Sequence, residues 1–143
     1  MAIQIGEFFF DPAFVFADKA VGEKLFIVIA RSKADNFIVA RTTSNPQRKS
    51  FNYGCHNDEP DPNFFVPKTA TSPFNEHTWV NLDYLSEFDS NELTNRVEKL
   101  HNIQRIGNIP IDILKAIMDC ASRADDTLCY QSDAIRDTLA ALT

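Results

Sequence analysis

The chain has 143 residues, with 14 basic and 20 acidic side chains and a formal net charge of −6. That length suits one domain and excludes two full ones, while 44 % hydrophobic and 24 % charged residues exclude wholesale disorder. An acidic balance argues against a broad nucleic-acid surface, because affinity for phosphates grows from clustered Lys and Arg.

Runs rich in Phe, Val, Ile, Trp and Thr fall at 6–10, 24–30, 36–43, 63–67 and 77–82, separated by Asp, Asn, Pro and Gly. This is the pattern of strands joined by turns. Ala34-Asp35-Asn36 makes a hairpin of the second and third runs. The twelve Phe can offer stacking platforms for bases, but they more simply fill the interior of a small barrel packed under helices. The longest loop is 44–62, and long loops in compact domains often carry function.

After Asp89 the period becomes helical. Asp89 with Glu92 three residues on predicts a capped N-terminus, and Leu93, Val97 and Leu100 then share a face until Gly107 ends the segment. Pro110 opens a second helix with an apolar stripe of Ile113, Leu114, Ile117, Met118 and Ala121. Ser132 caps a third helix carrying Ile135, Leu139 and Leu142. The expectation is a single α+β domain over 1–143, with a small antiparallel β-barrel over 1–88 and two or three helices over 89–143.

The longest apolar run, Leu25 to Ala30, is far short of a membrane helix, and Glu7 and Asp11 stand where a signal peptide would be basic and then apolar. A cytoplasmic protein away from membranes is expected. Cys55, Cys120 and Cys129 are an odd number without repeated spacing, so buried free thiols in a reducing cytoplasm are expected rather than a disulfide framework or a thiolate zinc site. Four glycines form no phosphate loop and the acidic loops match no calcium-loop pattern, so neither metal nor cofactor is expected.

Charge is unevenly spread. Residues 1–50 carry seven basic and five acidic groups, 51–90 one and seven, and 91–143 six and eight. The acidity belongs to the loop-rich middle, which leaves room for a small basic site in the first third, where Arg31, Lys33, Arg41, Arg48 and Lys49 lie. Arginine binds phosphate bidentately, and the hydroxyls of Thr42, Thr43 and Ser44 at a strand end can hold phosphate oxygens. Two threonines equally suit any strand, and Ser44-Asn45-Pro46 equally suits a plain turn. Cys55-His56 and His77 are also open to two readings, a nucleophile with its base or incidental residues.

The order of segments resembles the PemK/MazF-like proteins, small SH3-like barrels that include toxin endoribonucleases of toxin–antitoxin systems. The resembling features are Gly6-Glu7-Phe8-Phe9-Phe10, Lys24-Leu25-Phe26-Ile27-Val28-Ile29, Thr42-Thr43-Ser44, Gly54-Cys55, a Phe-Phe-x-Pro stretch at 64–67, and Phe74-Asn75-Glu76-His77-Thr78-Trp79-Val80. They span about residues 5–85, and the helical C-terminus resembles that of extended members of the family. The resemblance implies an SH3-like barrel, dimerisation through it, and cleavage of single-stranded RNA without metal.

Carried over, the resemblance points to Lys24, Thr43 and Ser44 as catalytic, with His77 handling the proton. Arg41, Arg48 and Lys49 are added from charge as RNA-binding residues. Lys24-Leu25 stands where the ribonuclease members have Arg-Pro. Three functions follow: an RNA-binding, toxin-like endoribonuclease with a cognate antitoxin; a non-catalytic barrel for a protein partner, as an immunity, antitoxin-like or phage-defence component; and a cysteine hydrolase using Cys55.

Overall fold

The computed structural model describes residues 2–16 and 18–142; Met1, Ala17 and Thr143 lie outside the described residues. Eight strands form one antiparallel sheet: β1 Glu7–Val15, β2 Val21–Arg31, β3 Asn36–Thr43, β4 Gly54–His56, β5 Asn63–Val66, β6 Thr78–Asn81, β7 Ser86–Asp89 and β8 Gln104–Asn108. The helices are α1 Ser90–Glu98, α2 Ile111–Ser122 and α3 Cys129–Ala141. The strand order is β4-β5-β6-β3-β2-β1-β8, with β7 also paired to β3.

β2 and β3 form the expected hairpin, with Phe26 opposite Arg41 and Val28 opposite Val39. Its turn closes through Ser32 N–H to the Asn36 carbonyl at 2.8 Å. Asp35 turns the chain with φ of 64°, a region that Asp tolerates better than most residues. β3 then divides its outer edge. Residues 36–39 pair with β7, and Thr42 and Thr43 pair with Val80 and Trp79 of β6.

The central strands are buried on both faces, which is why β2 reads as a continuous apolar run rather than an alternation. On one face Phe8, Ile27, Ile29, Ile38 and Ala40 pack against Leu114, Ile117 and Met118 of α2 and Ile135 of α3. On the other, Phe9, Phe26, Val28, Phe37 and Val39 pack with Leu93 and Val97 of α1 and with Ile103. Much of the phenylalanine surplus is spent here: Phe26 lies 5.7 Å from Phe9, 5.8 Å from Phe14 and 5.2 Å from Phe88 between ring centroids. Burying each such ring stabilises the fold by roughly 1.5–3 kcal/mol.

Several expectations are corrected. The sheet is open, with β4 and β8 at the ends of its strand order and β7 branching from β3; helices cover both faces of its centre, so the edges need not meet to bury it. The 89–143 part is not purely helical, because β8 returns to pair with β1, Glu7 opposite Asn108. The first helix stops at Glu98, well before Gly107. Leu100 is exposed, and His101, at φ of 53°, turns the chain towards β8. The cap Asp89 does accept from Glu92 N–H at 3.0 Å. Pro110 precedes the helix proper by one residue. The third helix starts before Ser132, whose hydroxyl instead donates to the Ser122 carbonyl at 2.7 Å and ties α3 to α2.

Cys55 and Cys120 form a disulfide joining β4 to α2. The expectation of buried free thiols is therefore corrected: Cys129 is free, but it is exposed. Spacing along the chain carries no sign of this bond, because its partners lie 65 residues apart. Among the described residues no helix is long and apolar enough to cross a membrane.

A candidate site at the Lys24 cleft

Lys24 sits on β2 two residues before the buried run, which begins at Phe26. Its ammonium reaches across the hairpin to donate to the Thr42 carbonyl at 3.0 Å. Thr42 turns inward, its hydroxyl donating to the Leu25 carbonyl at 3.0 Å. The two bonds lock the mouths of β2 and β3 together and hold the cation half-buried at the sheet's end. Burial pulls the Lys24 pKa below its ordinary value, and the neighbouring charges of Arg41 and Lys49 lower it further.

Two depressions meet at this lysine. The first is a cleft of about 390 Å³ whose walls include Phe8, Phe10 and Ile106, Thr43 and Ser44 at the strand end, and Phe74, Asn75 and Glu76. The second, of about 370 Å³, is lined by Lys24, Thr43, Asn45, Gln47, Lys49, Asp61, Asn81 and Asp83. Lys24 and Thr43 line both, so the two depressions adjoin at these residues and are named together as a trough. The Thr43 hydroxyl accepts from Asn45 N–H at 3.1 Å and shapes the turn, while Ser44 is exposed at the rim.

Of the residues expected from sequence, Lys24, Thr43, Ser44 and Lys49 come together here. Arg41 lines neither depression. Its guanidinium donates to the Asp83 carbonyl at 2.9 Å and approaches the Asp83 carboxylate at 3.5 Å, so it braces the turn after β6 and acts on Lys24 through its charge. Burial raises the Asp83 pKa above the usual carboxylate value; Arg41 opposes this, and Asp61 and Asp126 add to it. Arg48 is exposed outside the trough, at φ of 67°.

His77 is not in the trough either. Its Nδ1 accepts from Lys68 N–H at 2.8 Å, which leaves the proton of the neutral ring on Nε2. The ring meets Phe65 and Phe51 at 5.7 and 6.3 Å. His56 braces its own loop, with Nε2 2.7 Å from the Asn52 carbonyl oxygen. Cys55 is bonded through sulfur to Cys120, which removes it as a nucleophile. Among the described residues no group of three or more His, Cys, Asp or Glu is placed to hold a metal ion.

Sequence reasoning missed the carboxylates of Glu23 and Glu76 and the apolar wall of Phe10 and Ile106. Glu23 adjoins Lys24 in sequence, which is a usable signal. Ile106 belongs to β8, and nothing near residue 24 in the chain announces it. Chemically, the trough offers a cation, two hydroxyls, carboxylates and an apolar wall within one surface. No family model matches the chain, and no curated protein matches it significantly.

Proposed function

We propose that the trough binds single-stranded RNA, with a phosphate at Lys24 and Ser44 and a nucleoside against Phe10 and Ile106, in the manner of the PemK/MazF-like toxins that the sequence resembles. The observation that carries this reading is the half-buried Lys24 ammonium, flanked by the charges of Arg41 and Lys49, at the junction of two depressions. An anion placed there relieves the crowding of the Lys24, Arg41 and Lys49 charges, of which Arg41 is already partly offset by the Asp83 carboxylate at 3.5 Å.

Cleavage would follow without metal. The ribose 2′-oxygen attacks phosphorus, the bond to the 5′-oxygen breaks, and a 2′,3′-cyclic phosphate forms. Glu23 or Glu76 takes the 2′-hydroxyl proton, and Lys24 supplies a proton to the departing 5′-oxygen, which its lowered pKa favours. Such a protein would be a toxin of the cytoplasm with a cognate antitoxin, dimeric through its sheet.

The test is binding and cleavage of labelled single-stranded RNA with a chelator present. Expected are binding, cyclic-phosphate ends, and loss of both in Lys24→Ala. RNA left unbound by the wild-type protein at low salt overturns the reading. A second reading, a module for a basic protein partner, rests on the acidic ground where Asp61 and Asp126 both act on Asp83. It is favoured instead if RNA is ignored and a basic partner's binding weakens in Asp61→Asn.

A further inference from the structure

Loop 44–53 brings two large rings to the surface, Phe51 at 61 % exposure and Tyr53 at 55 %. Neither is loose. Phe51 meets Trp79 edge-on at 5.1 Å, Phe65 at 5.8 Å and His77 at 6.3 Å. The Trp79 indole N–H donates to the Ser50 carbonyl at 2.8 Å, which pins the backbone next to Phe51. Tyr53 rests edge-on against Phe64 at 5.4 Å. Rings held by contacts of this kind keep much of their surface open to solvent and have already given up rotational freedom, which is what a stacking platform needs.

The platform continues the trough. Thr43 is paired with Trp79 and Trp79 with Phe65, so these three project from the same face of successive strands. Phe51, lying on the last two, is therefore about two strand spacings, ~10 Å, from the trough residue Thr43. Charge agrees: residues 41–57 contain no Asp or Glu but include Arg41, Arg48, Lys49 and His56. Lys68, exposed and bonded through its backbone to the His77 ring that meets Phe51, adds a further cation on the neighbouring segment. Asp112, which acts on Tyr53, is the opposing charge at the far end.

We propose that Phe51 and Tyr53 are a stacking step for successive bases of a single-stranded RNA whose phosphate occupies the Lys24 trough, with Arg48, Lys49 and Lys68 following the backbone. This rests on the reading of the trough as an RNA site and extends it to a longer ligand. Because every base has a π-face, the step sets the length of strand bound, not its sequence.

The full-length protein is titrated with 2′-O-methyl oligoadenylates, which cannot be cut by 2′-oxygen attack, one of two and one of eight nucleotides. Phe51→Ala is expected to weaken binding of the longer strand about tenfold, the lower part of the range for loss of one stacked base. Phe51→Tyr should retain that binding, and the dinucleotide should bind all three proteins alike. Trp79, the single tryptophan, gives a readout free of mutation, since its ring touches Phe51: its emission should change with the longer strand only.

Octamer affinity that falls in Lys24→Ala but is unmoved in both Phe51→Ala and Tyr53→Ala, with Trp79 emission constant, overturns the inference, leaves the trough reading intact and assigns the patch to a protein surface. If neither strand binds the wild-type protein, the trough reading falls and takes the inference with it.

Discussion

Lys24 and Thr42 stand on neighbouring strands, and the lysine ammonium donates to the threonine carbonyl at 3.0 Å. The bond keeps the cation at the surface end of the hairpin while burial and two like charges loosen its proton. Affinity for single-stranded RNA should therefore fall with rising pH before the ordinary lysine value of 10.5 is reached. Lys24→Arg should move that loss to still higher pH, which anisotropy titrations along a pH series would reveal.

The same shift has a stability sign. Because the folded pKa lies below the unfolded one, the unfolded chain binds more protons between the two values. Stability should then rise as pH climbs through that window. Urea midpoints measured against pH should show the rise in the wild-type protein and a flatter profile in Lys24→Met.

Asp11 is fully buried and bonded to Arg96 Nη2 at 2.9 Å, with its second oxygen unpartnered among the described residues. Removing the guanidinium leaves a buried carboxylate without its counter-charge, which costs about 3–5 kcal/mol. Arg96→Ala should lose about that much in chemical denaturation, and Asp11→Ala combined with Arg96→Ala should lose less than the two single changes added together.

The Cys55–Cys120 bond closes a loop of 65 residues. Chain-entropy bookkeeping puts its contribution at roughly 4 kcal/mol. Reduction should lower the melting temperature by roughly 10 °C, and Cys55→Ser should do the same without reductant. Cys129→Ser, which touches only the exposed thiol, should leave the transition where it is.

Gly6 has φ of +93°, and a Cβ built there would stand 2.7 Å from Leu114 Cδ2. Its N–H donates to the Val28 carbonyl and its carbonyl accepts from Ile109, both at 2.8 Å, so the backbone cannot relax without losing them. Gly6→Ala should cost about 1–2 kcal/mol from the backbone conformation alone. Urea denaturation of the variant checks this figure.

How much of this was readable beforehand depends on how each residue is used. The β2–β3 hairpin was legible because its strands are apolar and its turn carries Asp35. β7 and β8 were not, since Ser-Glu-Phe-Asp and Gln-Arg-Ile-Gly-Asn have edge-strand compositions that resemble loops. The sheet's failure to close was hidden for a related reason: apolar alternation says that a strand is covered, not whether a helix or another strand covers it. At the trough, Lys24 was reached only through the family resemblance, and Thr43 and Ser44 stood out as a hydroxyl-rich strand end that suited a plain turn as well. Arg41 looked equivalent to them, and only its bond to the Asp83 carbonyl separates a brace from a lining residue. His77 looked like a proton carrier until its ring nitrogen was found accepting a backbone N–H.

β8 pairs with β1 across nearly the whole chain, Glu7 opposite Asn108, and Arg105 of β8 bonds Glu7 at 3.0 Å and Glu98 at 2.8 Å. β1 thus waits for a strand that lies much further along the chain. Contacts of such long sequence separation must meet the entropy of loop closure before they stabilise anything. Until residues 104–108 are available β1 keeps an open edge, so folding of this domain is expected to be slow, in the millisecond-to-second range of sheet proteins.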